Sequence, residues 1–162
     1  MLDGQHMKTL RPLLRGATAG AVATVAMSAL MLAAKRIGIT GTLPPELIAR
    51  KALDAVAGDP PNDRQEDTVA AVAHIGFGAV AGAVFELLMM RADDARSSAP
   101  IGAAAGALYA TGIWLVSYQG WVPALGIMPA ASRDRRGRVA TMLAAHWVYG
   151  GALGVLGTVL RR

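Results

Sequence analysis

Charge is segregated from four apolar stretches, about 13–34, 68–90, 101–122 and 139–160, gathering at their ends and in the connectors, and this segregation is the dominant pattern of the 162-residue chain. Each stretch has the roughly 20 residues that a helix rising about 1.5 Å per residue needs to cross a hydrocarbon core about 30 Å thick. The flanks agree with that reading. Lys8, Arg11 and Arg15 lead into the first stretch, with Lys35 and Arg36 after it; Pro12 suits a first helical turn. The acidic run Asp63, Glu66 and Asp67 enters the second stretch, complementing a helix N-terminus, and Arg91 closes it. Pro100 opens the third, while Arg133, Arg135, Arg136 and Arg138 precede the fourth, which ends at Arg161 and Arg162. The fold expected is an all-α polytopic membrane protein with four transmembrane helices in a single domain. Residues 1–9 lack pattern and read as a disordered or tag-like lead, in which Met7 offers an alternative start.

The connectors are unequal. Between the first two spans, Glu46, Arg50 and Asp54 recur at i, i+4 and i+8 within about 45–57, before Gly58, Pro60 and Pro61. That spacing predicts a short amphipathic helix at the interface, stabilised along its own face by ion pairs. Asp93 and Asp94 fall in the short polar turn between the second and third spans. From Gln119 to Pro129 the chain is too apolar for an aqueous loop and too rich in Pro and Gly for a continuous helix, so it is expected to fold back on the bundle as an interfacial lid.

The spans also repeat. Ala73-His74-Ile75-Gly76-Phe77-Gly78-Ala79-Val80-Ala81-Gly82 aligns without a gap on Ala145-His146-Trp147-Val148-Tyr149-Gly150-Gly151-Ala152-Leu153-Gly154, both reading A-H-x-x-aromatic-G-x-x-x-G. Gly16-Ala17-Thr18-Ala19-Gly20-Ala21 likewise matches Gly102-Ala103-Ala104-Ala105-Gly106-Ala107, and Gly41 to Pro44 matches Gly126 to Pro129. With 33 alanines and 19 glycines in the chain, small-residue matches alone carry little, so the weight rests on the histidine register, the aromatic and the shared order. The pattern predicts two tandem two-helix repeats, related by a pseudo-twofold along the membrane normal because each half crosses twice.

Composition narrows the function classes. With 54% apolar and 17% charged residues and a mean hydropathy of +0.40, the chain has little material for an extramembrane domain. A formal charge of +5 would suit nucleic acid, but the sixteen basic residues fall almost entirely at segment ends, where they anchor helices to headgroups, so the partner expected is the bilayer and not nucleic acid. No cysteine is present, which excludes disulfides, thiolate metal sites and a cysteine nucleophile. The first apolar stretch, Gly16 to Ala34, is longer than a signal-peptide core and is expected to stay in the membrane. Seven basic residues on the N-terminal side of the spans against nine on the other set no orientation.

Candidate chemistry is sparse. His74 and His146 lie at equivalent depth in the second and fourth spans. If those helices meet, the imidazoles face one another, either donating hydrogen bonds to neighbouring helices or forming a ligand or proton site. Axial ligation of a haem is a third reading, and zinc lacks sufficient ligands. The pairs Gly16/Gly20, Gly78/Gly82, Gly102/Gly106 and Gly150/Gly154 give each span one small-residue stripe for close helix packing. Glu86, the one carboxylate within a span, lies a turn from the helix end and is expected to reach the interface. Tyr118 and Trp121 fall where an aromatic belt belongs. Neither G-x-S-x-G, H-E-x-x-H nor a deep carboxylate pair occurs, so no enzyme is expected.

The His-bearing spans, together with Leu125-Gly126-Ile127-Met128-Pro129, resemble the YagU-like family of small bacterial inner-membrane proteins over about Leu10 to Leu160. The resemblance implies a location and a fold, and no site residues. The function expected is that of a non-catalytic accessory or interaction subunit, working as a homo-oligomer or with other membrane proteins. The alternatives are an oligomeric transporter or proton pathway through His74 and His146, and a haem-binding electron-transfer subunit.

Overall fold

The computed structural model describes residues 3–56, 62–90 and 98–161, with side chains from residue 10 onward. The turn carrying Arg91, Asp93 and Asp94, the stretch with Gly58, Pro60 and Pro61, and Arg162 lie outside the described residues. Every described element is helical: α1 (Asp3–Arg36), α2 (Pro44–Val56), α3 (Asp63–Met89), α4 (Ala99–Leu115), a π-helical segment (Val116–Trp121), α5 (Val122–Ala124), a 3₁₀ turn (Ala131–Arg133) and α6 (Arg136–Val159). Four helical stretches, Leu10–Arg36, Asp63–Met89, Ala99–Ala124 and Arg136–Val159, are long and apolar enough to cross a membrane. The protein is all-α and multi-pass.

Several boundaries differ from the hydropathy reading. Helix α1 is already formed at Asp3, so Pro12 lies within the helix and not in its first turn. Helix α3 starts at Asp63 because Asn62 caps it. The Asn62 side chain accepts from the Gln65 N–H at 2.9 Å and the Gln65 side chain accepts from the Asn62 N–H at 3.1 Å, a reciprocal capping box. Helix α1 ends in a Schellman cap, with Gly38 at φ +78° and the Ile39 N–H returning to the Ala34 carbonyl; Gly126, at φ +64°, closes α5 in the same way through Ile127 and Val122.

Two hairpins form the bundle: α1 packs along α3, and α4 packs along α6. Glycines seal both in the same register. A Cβ on Gly20 would collide with the Gly78 carbonyl and one on Gly82 with the Gly16 carbonyl; in the second hairpin Gly106 meets Gly150 and Gly154 meets Gly102 in the same way. Each seam is extended by a threonine whose hydroxyl bonds back to a glycine carbonyl four residues earlier, Thr24 to Gly20 and Thr158 to Gly154. All eight glycines expected in packing therefore bring backbones together, the contact that replaces hydrophobic drive in lipid.

The hairpins join asymmetrically. Helix α1 packs along α6. The described contacts between α3 and α4 gather instead at one level, where the Tyr109 hydroxyl donates to the Ala81 carbonyl at 2.8 Å and its ring lies 5.2 Å from Phe85. Tyr149 of α6 adds a donated bond to the Gly78 carbonyl at 2.8 Å. Outward-facing Leu108, Val72 and Val80 are at least 65% exposed, the surface lipid would cover.

Glu86 departs from expectation. It is fully buried and its carboxylate is not open to solvent: Arg161 holds it at 3.0 Å and Arg15 at 3.3 Å, so it ties α3 to α1 and to the residues that follow α6. Guanidinium groups from two helices satisfy a carboxylate that would otherwise be too costly to bury. The charge row of α2 is also used differently. Glu46 takes Lys35 of α1 at 2.6 Å and the Leu43 N–H at 3.1 Å, and Arg50 takes Glu66 of α3 at 2.9 Å, so the helix is pinned to its neighbours across the row. The Glu66 hydrogen bond, followed by its charge, raises the Arg50 pKa above its ordinary value.

Candidate functional site

Where α3 and α4 part, a cavity of about 260 Å³ opens in the half of the bundle nearer α2. Its wall includes Thr24 of α1, His74 and Phe77 of α3, Tyr118 of the π-helical segment, and His146 and Tyr149 of α6. Pro44, Pro45 and Ile48 of α2 and Met128 of the returning connector contribute to the same wall. Both predicted histidines thus meet in one space, reached from two helices that are not packing neighbours along their length. Ala73, Phe77 and Trp121 line the cavity and are also exposed, so it opens sideways between α3 and α4.

The two imidazoles are held differently. His74 Nδ1 lies 3.2 Å from the Ser28 hydroxyl of α1, the interhelical partner expected. His146 Nδ1 lies 2.7 Å from the carbonyl of Met142, one turn earlier in its own helix, which corrects the expectation that both bond to a neighbour. A carbonyl only accepts, so His146 carries its hydrogen on Nδ1, and a neutral ring then leaves a lone pair on Nε2. Among the described residues no hydrogen-bond partner meets either Nε2.

The π-helical segment shapes the upper wall. Its wider turn, kinked at Gly120, carries Ser117, Tyr118, Trp121 and then Val122 onto the cavity. Tyr118 does not belong to an aromatic belt: it is buried and donates to Asp134 at 2.6 Å, and Arg138 holds the same carboxylate oxygen at 3.3 Å. Trp121 stays 37% exposed at the mouth of the cavity. Beyond α5 the connector does fold back, burying Met128 beside the cavity.

No family model, curated protein or solved structure matches this chain. Its chemistry must therefore be read from the site. The lining residues come from 24–31, 73–78, 113–122 and 142–149 of the spanning helices, all in one half of the bundle. Below them lie the two glycine seams, with Phe85 and Leu153 fully buried. The cavity is a pocket closed at its inner end. Among the described residues its wall holds two imidazoles, tyrosine, serine and threonine hydroxyls, and no charged side chain.

Proposed function

We propose that this protein is a non-catalytic membrane subunit that binds a small ligand in the pocket between its hairpins, with His74 and His146 as polar contacts. The observation that carries the reading is the convergence of both histidines on one laterally open pocket, each anchored through Nδ1 with Nε2 unengaged. Apolar walls with a few placed polar groups are the ordinary make-up of a ligand site. The lateral mouth suits a ligand that partitions into lipid. A volume of about 260 Å³ is below the roughly 300–1,000 Å³ of drug-sized sites, which speaks against the haem alternative.

The two glycine-sealed hairpins support reading the chain as tandem repeats, and the YagU-like resemblance supports a bacterial inner-membrane location. The exposed apolar faces of α3 and α4 suit lipid, further copies of the chain or other membrane subunits. Phenol, a small ring with one O–H donor, serves as the test ligand. In solubilised protein carrying ¹⁵N-histidine, phenol is expected to shift the His146 Nε2 resonance, and Ala73→Trp, which fills the mouth, is expected to abolish the shift. An equal shift in Ala73→Trp would refute the pocket.

The Tyr118–Asp134 hydrogen bond favours a second reading, in which the pocket takes protons from the face bearing α2. That reading requires the glycine-sealed half to open. Proton flux into liposomes that disappears in His74→Gln/His146→Gln would decide for it.

A further inference from the structure

Half of the chain's eight methionines surround the two histidines. Met27 and Met31 stand one turn apart on α1, Met142 stands one turn before His146 on α6, and Met128 reaches the pocket from the connector. All four are 6% exposed or less. Among the described residues no carboxylate, lysine or arginine lines the wall, and its electron-pair donors are imidazole nitrogens, thioether sulfurs and hydroxyls, all neutral.

The imidazoles are arranged as metal-binding imidazoles usually are. Ligating histidines commonly give their second ring N–H to a carbonyl or other protein acceptor, which fixes the tautomer and aims the remaining nitrogen. His146 does this through the Met142 carbonyl at 2.7 Å, and His74 is anchored by Ser28 at 3.2 Å. The donor set then chooses the metal. Calcium and magnesium require several oxygen ligands, and zinc sites draw on thiolates, carboxylates or three imidazoles, none of which this wall supplies. Thioethers with imidazoles are soft donors that select copper(I). Single charge matters too, because an ion without a carboxylate beside it is costly to bury and the cost grows steeply with charge.

We propose that the pocket is a binding site for a soft monovalent cation, copper(I), ligated by Nε2 of His74 and His146 and by thioether sulfur from Met27, Met31, Met128 and Met142. This assignment rests on the pocket reading above and gives its ligand class. Copper is bound, and no electron transfer is involved.

The test is an anaerobic titration of the detergent-solubilised full chain with copper(I) against a chromophoric chelator, in a His6→Gln background so that the third histidine does not contribute. One copper(I) per chain is expected. Met27→Leu and Met142→Leu, which conserve volume and should leave the thermal midpoint nearly unchanged, are each expected to weaken binding about tenfold or more; His74→Gln/His146→Gln is expected to abolish it. X-ray absorption at the copper edge gives a second readout. The chain has no cysteine, so any sulfur in the copper shell must come from methionine. A shell of nitrogen and oxygen alone, or copper affinity indifferent to these substitutions, overturns the assignment. Phenol binding separates the two failures: if phenol still binds and copper does not, the pocket stands and its soft-metal character falls; if neither binds, both readings fall.

Discussion

Adjacent glycines in α6 should respond in opposite ways to the same substitution. A Cβ at Gly150 would collide with the Gly106 carbonyl oxygen, lie 2.5 Å from the Gly106 carbonyl carbon and 2.8 Å from the Ala107 Cα, whereas a Cβ at Gly151 meets nothing within 4 Å. The Gly150 obstacles are backbone atoms of α4 and cannot rotate away. Relieving the 2.5 Å contact to the 3.4 Å at which ordinary contact begins requires α4 and α6 to separate locally by at least about 0.9 Å, and the closer carbonyl oxygen asks for more. A gap of about 0.5–1 Å forfeits a quarter to a half of the dispersion energy of each atom pair across it. Because the Gly102–Gly154 contact lies on the same seam, the loss extends along it, and the expected cost of Gly150→Ala is about 1–3 kcal/mol, as for other overpacked sites. Gly151→Ala removes a helix-interior glycine without a clash and should stabilise by about 0.5–1 kcal/mol. Thermal unfolding in detergent, followed by circular dichroism, reads both at about 2–4 °C per kcal/mol for a chain of this size. If Gly150→Ala were as stable as the wild type, or if both substitutions moved the midpoint in one direction, the sealed-seam account would be wrong.

Other consequences are equally open to measurement. Glu86→Gln leaves Arg15 and Arg161 facing a neutral amide and should destabilise by about 3 kcal/mol, less than for fully buried partners because both arginines keep about a fifth of their side-chain surface exposed; unchanged thermal stability would refute the pairing. Tyr149→Phe removes the bond to the Gly78 carbonyl and should cost about 0.6–1.5 kcal/mol while retaining the fold, a range that a thermal midpoint resolves. The Arg50–Glu66 pair involves an arginine that is 54% exposed, so Arg50→Gln should leave the global thermal midpoint nearly unchanged; hydrogen exchange should nevertheless quicken in α2 and not in α3, and high salt should reproduce the effect in the wild type.

What the chain discloses in advance is what depends on short-range pattern. The four spans follow from hydropathy, and the eight seam glycines from their four-residue spacing, because both are properties of one helix at a time. The start of α3 was legible as well: Asn62-Asp63-Arg64-Gln65 carries the capping residues, but the charges within that run mask it from a reading led by hydropathy. Glu86 could not be placed, since its two arginines lie 71 and 75 positions away in sequence. Tyr118 looked like an interfacial aromatic until Asp134, on the far side of the connector, was brought to its hydroxyl. The methionines show the same limit. Met27 with Met31, and Met142 with His146, are four residues apart in the sequence, but their convergence depends on which helices pack and which do not.

That convergence turns on Val116–Trp121, where the i to i+5 bonding of a π-helix replaces the i to i+4 bonding of an α-helix. Such a segment holds one more residue than the α-helical turns it displaces, and each residue of an α-helix is worth about 100° of rotation. Everything from Trp121 onward, including the connector that carries Met128, therefore meets the bundle at an angle set by that extra residue together with the non-helical backbone of Gly120. A one-codon deletion here would leave the hydropathy of the span almost untouched while turning Trp121 and Val122 away from the two histidines. Within this architecture, the pocket is separable by one small genetic step from a plain four-helix membrane scaffold.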